Sequence, residues 1–101
     1  MSKIIVLFNL KPGVSVADYE AFARDVDLPI VRKLPSVNSF DIFKTEGLLG
    51  GGKAPYQYIE VLDIKGVDQL GQDISTETMQ KVAATFQSMT DNPLFIVAQP
   101  L

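Results

Sequence analysis

Tyr56-Gln57-Tyr58-Ile59-Glu60-Val61-Leu62-Asp63-Ile64 is the clearest strand in the chain. Tyr56, Tyr58, Glu60 and Leu62 alternate with Gln57, Ile59, Val61 and Asp63, the period of two that sends successive side chains to opposite faces of a sheet. Before it comes another β-rich stretch, Val37 to Lys44, with Ser39, Asp41 and Phe43 on one face and Phe40 and Ile42 on the other. Only a glycine-rich loop, Thr45 to Pro55, separates the two. Two strands in direct succession, with helical periodicity on either side of them, decide the fold.

Toward the N-terminus, Lys3 to Asn9 is β-branched and aromatic, and Lys11-Pro12-Gly13 closes it as a turn. Val16, Tyr19, Phe22, Ala23 and Val26 then fall at helical spacing behind a Ser15-x-x-Asp18 capping pattern, which predicts a helix over 16–25. Pro29 interrupts it, and Leu28 to Leu34 reads as a second short helical turn stopped by Pro35. Toward the C-terminus, one helical turn is expected within Gly66 to Gly71. A longer helix over Thr76 to Met89 has Met79, Val82, Ala83, Phe86 and Met89 on one face and Ser75 or Thr76 as its cap. Asn92-Pro93 breaks the chain before a last strand, Leu94 to Gln99. The order strand, helix, strand, strand, helix, strand is the α+β ferredoxin-like βαββαβ arrangement, an antiparallel four-stranded sheet with helices on one face. With no repeat, linker or low-complexity tract, residues 1–101 read as a single domain. The strands are apolar on both sides, so the uncovered sheet face is expected to meet a second copy in a two-fold homodimer.

The 101 residues include no His, no Cys and no Trp. That excludes thiol nucleophiles, Ser-His-Asp triads, thiolate zinc, imidazole-held metals and His- or Cys-ligated haem. No acids are spaced like a calcium-binding loop, so no metal is expected. A net charge of −3 repels phosphates, which argues against nucleic acid as a partner. The longest apolar run, Ile4 to Phe8, is too short to span a membrane and lacks the flanks of a secretory signal; a cytoplasmic protein is expected. Any catalysis must use carboxylates, hydroxyls, amides, Lys, Arg or Tyr.

Gly47-Leu48-Leu49-Gly50-Gly51-Gly52-Lys53 fits the pattern of a phosphate-cradling loop, but Ala54 stands where the magnesium-binding hydroxyl should be and a strand follows instead of a helix. It reads as a strand connection or a lid. Asp25 and Asp27 bracket the joint between the first helix and the short second one. Asp25 reads as a solvated helix-end charge, and Asp27 either as a cap beside Pro29 or as a carboxylate at a pocket mouth, where burial would fit it for acid or base work. A polar line crosses the apolar strands through Asn9, Ser39, Asp41, Tyr58 and Glu60. Glu60, mid-strand between Ile59 and Val61, needs a partner: a cross-strand pair, a dimer contact or a ligand. Arg32 is either a counter-ion for one of these acids or a solvated surface charge.

The run Phe22-Ala23-Arg24-Asp25-Val26-Asp27-Leu28-Pro29-Ile30-Val31-Arg32-Lys33-Leu34-Pro35-Ser36-Val37 resembles a segment of dimeric α+β barrel proteins, the EthD-like group among them. That segment reads helix, His, any residue, Pro, leucine-rich turn, Leu-Pro-Gly, strand. Extended through Asn38-Ser39-Phe40 and Tyr56-Gln57-Tyr58-Ile59-Glu60-Val61, the likeness is greatest to the RedY-like/HapK family of prodiginine (red tripyrrole pigment) biosynthesis, over nearly the whole chain. The resemblance implies a dimeric α+β barrel with a small-molecule cavity between each sheet and its helices, and no tightly bound cofactor. The chain departs from the wider pattern at the His position, which is Asp27. An ordinary Asp is fully ionised at neutral pH, so Asp27 would need an apolar pocket to take the role of an imidazole. The expectation is a cofactor-independent enzyme acting on a small aromatic, pyrrole-type ligand. Asp27 would be its acid or base, Glu60 its electrostatic partner, and Asn9, Asp25, Arg32, Ser39 and Tyr58 candidate substrate-binding residues. A non-catalytic carrier of the same pathway and a cofactor-free monooxygenase are the alternatives.

Overall fold

In the computed structural model, which describes residues 2–101, the β-branched N-terminal run forms β1 (Ser2–Leu10) at the middle of the sheet. Its neighbours are β3 (Tyr58–Ile64) on one side and β4 (Thr90–Ala98) on the other, both antiparallel, and β2 (Val37–Lys44) lies outside β3. The order β2-β3-β1-β4 is that of the ferredoxin-like α+β fold. Register places Val6 opposite both Glu60 and Phe95, so Ile4, Val6 and Phe8 share the inner face with Tyr58, Glu60 and Leu62. Phe8, wholly buried, stacks on Tyr58 and meets Tyr19 and Phe86 edge-on, with ring centroids 5.0–5.5 Å apart. The long helix α4 (Glu77–Met89) starts where Thr76 Oγ1 accepts from the Met79 amide and lays Met79, Val82 and Phe86 against this core. No helix among the described residues is long and apolar enough to cross a membrane.

The first helix departs from its expected form. α1 (Val16–Phe22), capped by Ser15, does not end at Pro29; it widens into a π-helical turn over Ala23–Asp27 and continues as α2 (Leu28–Val31). The Leu28 amide donates to the Ala23 carbonyl five residues back. In a regular α-helix the Pro29 ring would strike the carbonyl of Asp25, four residues back, and a wider turn carries the chain past it. Each residue then turns the helix by less than usual, so the buried face slips by one position. Regular spacing from Tyr19 and Ala23 leads to Val26 and Ile30; the structure buries Asp27 and Val31 instead. Asp27 itself is helical in backbone and caps nothing, which corrects its reading as a cap.

Two further differences lie near the strand ends. Asn92-Pro93 falls inside β4 and does not break it: Asn92 takes φ 50°, tolerated by Asn, and the register shifts between Leu7 and Asn9 as a bulge on an edge strand, where a proline is harmless. The turn expected after Gly66 is a full helix, α3 (Val67–Asp73), whose Asp73 carboxylate accepts from the Ser36 amide at 2.8 Å. The loop ahead of β3 is fastened by Asn9, which donates to the Pro55 carbonyl at 3.2 Å and accepts from the Gln57 amide at 2.9 Å. Gln57 Oε1 in turn accepts from the Leu10 amide at 2.7 Å. Replacing Asn9 with Ala therefore removes two hydrogen bonds and is expected to lower unfolding free energy by about 1–2 kcal/mol, read by urea denaturation.

Candidate active site

Asp27, brought inward by the wide turn, and Glu60, on the inner face of β3, line the same cavity. Its volume is about 380 Å³. The rest of the wall is nearly all hydrocarbon, with Ile4, Val6 and Leu62 from the sheet, Val31 from α2, and Met79 and Phe86 from α4. Gln80, Ala84 and Gln87 of α4, with Phe95 of β4, are exposed residues on its outer side. Both carboxylates are only 5% exposed. No Lys or Arg pairs with either among the described residues, and Glu60 Oε2 has no hydrogen-bond partner. The Tyr19 hydroxyl, wholly buried against Glu60, is likewise without one.

Desolvation by this apolar wall pushes the Asp27 carboxyl up to about 6. Glu60 is pushed up to about 8, mainly by burial and further by the charge on Asp27, with the Tyr19 hydroxyl pulling the other way. Both carboxyls of the pair are thus raised toward the neutral range, where carboxylic acids can serve as acid or base. Burial and the neighbouring acids raise the Tyr19 hydroxyl well above its ordinary value, so it stays protonated.

The other expected site residues lie elsewhere. Tyr58 shares the inner sheet face but lines a separate pocket of about 140 Å³ with Tyr19, Glu20, Arg24 and Lys44, and donates to Glu20 Oε2 at 2.8 Å. That bond and Lys44, at 3.0 Å, hold Glu20 below the usual carboxylate range. Asn9 is committed to the loop before β3. Asp25 is exposed on the outer side of the wide turn. Arg32 donates to the Phe40 carbonyl at 2.8 Å and to Asp41 at 3.1 Å, tying α2 to β2, so it is no counter-ion for the buried acids. Ser39 is exposed on the opposite face of β2 from buried Phe40. Lys53 lies outside the cavity, and the Gly47–Lys53 stretch closes on itself through Leu48 and Gly52 with no helix behind it. Among the described residues no cluster of acids could hold a metal ion. Tyr19 is the site residue that sequence reasoning assigned to the core; the one signal was a hydroxyl in the middle of an apolar helix face.

These displacements fix how stability must vary with pH. Both acids keep their protons in the folded chain at pH values where the unfolded chain has lost them, so unfolding releases protons. Stability is therefore expected to fall as pH rises from about 4 to about 8 and to level off above, by roughly 1.4 kcal/mol for each unit of displacement. Glu60→Gln cannot ionise and should flatten the upper half of that fall, as measured by urea unfolding across the range.

The family described as REDY-like protein HapK matches residues 2–101. No curated protein matches the chain. Among solved structures, HapK from Hahella chejuensis is 27% identical with TM-score 0.76, covering 100% of this chain and 93% of that one. A dimeric ferredoxin-like protein of unknown function from Thermobifida fusca is 17% identical with TM-score 0.76, over 97% of this chain and 90% of that one. SnoaB from Streptomyces nogalater, a cofactor-independent oxygenase, is 10% identical with TM-score 0.76, over 98% of this chain and 91% of that one. The last two show the fold alone. With its whole described length matched and the paired-acid cavity built on that fold, the chain belongs to the REDY-like HapK family.

Proposed function

We propose that this protein is a cofactor-independent enzyme of prodiginine-type pigment biosynthesis. It acts by carboxylate acid–base chemistry, in a dehydration, cyclisation or condensation of a small aromatic, pyrrole-containing intermediate. The observation that carries the reading is that Asp27 and Glu60 are both buried in one apolar cavity, with no cation among the described residues paired to them. A flat hydrocarbon-rich ring system fills such a wall, and its N–H or a developing iminium charge is what an ionised carboxylate in a dry site stabilises. Asp27 takes a proton from the ring system. Protonated Glu60 gives one to the departing oxygen, which leaves as water.

The open face of the sheet supports a homodimer. Ile5, Leu7, Ile59, Val61, Leu94 and Ile96 lie there, with Leu94 and Ile96 still more than two-fifths exposed in the single chain. An apolar face of that extent is covered in a stable protein, and self-pairing of sheets closes it. The Thermobifida fusca relative is described as dimeric.

Asp27→Asn and Glu60→Gln, assayed on a 2,2′-bipyrrole precursor, should each lose about 100-fold or more in turnover while remaining folded. Unchanged turnover in folded Asp27→Asn removes Asp27 from the mechanism. Saturable binding without product makes the protein a carrier, and product that forms only in the presence of oxygen makes it an oxygenase. For the dimer, sedimentation of the wild type should give a particle of two chains, and Ile96→Asp should give one.

A further inference from the structure

Asp27 reaches the large cavity from its helical wall and Glu60 from the sheet, each only 5% exposed, and Glu60 Oε2 is without a hydrogen-bond partner. No Lys or Arg among the described residues lines that cavity or pairs with either acid. The other polar side chains on its wall are two exposed amides, Gln80 and Gln87. All the rest is aliphatic or thioether, apart from three phenylalanines, Phe40, Phe86 and Phe95. Two acids of like sign in such a wall lack what a buried carboxylate needs, a positive partner. A cavity of about 380 Å³ is of the size that holds a small molecule. Among the described residues no third acid completes a metal site with the pair, and two carboxylates offer few oxygens to calcium or magnesium. Aromatic faces, by contrast, attract an organic cation.

We propose that the cavity takes a flat organic cation bearing N–H donors, an amidinium or a protonated nitrogen heterocycle, held between Asp27 and Glu60. This deepens the proposed function, since it rests on the same site and adds the charge of the substrate. The ligand supplies the positive partner that the chain withholds, and its N–H groups meet an acceptor on each wall in charge-assisted hydrogen bonds. Its rings lie against the aliphatic and phenylalanine side chains. A ligand that arrives as a neutral base reaches the same state by taking a proton from a carboxyl group. One O–H bond breaks, one N–H bond forms, and carboxylate and cation remain with no proton exchanged with water. A neutral ring of the same shape leaves a buried carboxyl without its partner, so the two acids select by charge as the hydrocarbon wall selects by shape.

The test compares three ring compounds of similar size by calorimetric titration of the full chain, in enough salt to screen surface charges. Benzamidine is a cation with N–H donors, benzamide has the donors without the charge, and toluene has neither. The wild type should bind benzamidine at least about tenfold more tightly than benzamide or toluene. Glu60→Gln and Asp27→Asn, which keep the shape of each side chain and remove its charge, should each reduce that preference by about tenfold. The wild-type series needs no variant, so it carries the test even if a core substitution fails to fold. Benzamide or toluene binding the wild type as tightly as benzamidine overturns the proposal, and so does a preference for benzamidine that survives undiminished in both folded variants, since the cation would then sit elsewhere. Binding is read here without turnover. A cation-selective cavity in a protein that leaves bipyrroles unchanged keeps this inference and sinks the enzymatic reading, whereas bipyrrole turnover with no preference for benzamidine does the reverse.

Discussion

The ring of Phe8 is where the two layers meet. It projects from the central strand β1, stacks on Tyr58 of β3, and receives Tyr19 of α1 and Phe86 of α4 on its edges. Buried aromatic rings of this kind are worth about 3–5 kcal/mol each, a large part of the roughly 5–15 kcal/mol that holds a domain of this size folded. The cluster also sets the position of the cavity. Rings fill one end of the space between sheet and helices, while smaller or more flexible side chains such as Val31, Val82 and Met79 leave the other end open. Glu60 stands at the boundary, two residues along β3 from Tyr58 and on the same face.

The second constraint is local to the first helix. Had it kept regular spacing, Val26 and Ile30 would have closed the cavity wall and Asp27 would have turned toward solvent. The π-helical turn adds one residue to the circuit and swaps an apolar side chain for an acid at the inner surface. Its cause can be named in the sequence, since Pro29 cannot continue a regular helix. Its effect cannot be read there, because a proline can be met either by ending a helix or by widening it.

That difference describes what was legible in this chain. The alternation of Tyr58, Glu60 and Leu62 and the helical spacing of Met79, Val82 and Phe86 report directly on which faces are buried, and they placed the sheet and α4 correctly. Periodicity failed where backbone irregularity shifts the register, at Asp27 and at the Asn92-Pro93 bulge, because a one-residue slip leaves composition unchanged. The polar line through Asn9, Ser39 and Tyr58 failed for another reason. A polar side chain on a strand has several ways to be satisfied, and Asn9 meets the loop before β3, Ser39 meets solvent, and Tyr58 meets Glu20. Only spatial neighbours distinguish these from a ligand contact.

Glu20 and Glu60 form an internal comparison that bears on why the acids are where they are. Glu20 gathers Tyr58, Lys44 and Arg24 around its carboxylate at 2.8–3.2 Å. Glu60, on the same side of the sheet and far better buried, pairs with no cation among the described residues, and Arg32 spends its guanidinium on the Phe40 carbonyl and Asp41. A chain that builds a three-partner site for one glutamate could compensate another by a single substitution, and leaving a buried carboxyl unpaired costs several kcal/mol against doing so. An uncompensated pair is also the arrangement that lifts both acids into the range where they exchange protons near neutral pH, which an arginine would abolish. In a protein with no histidine, desolvation of carboxylates is one route to groups that titrate near neutral pH, and burial in one apolar cavity raises both Asp27 and Glu60 toward that range at a cost in stability.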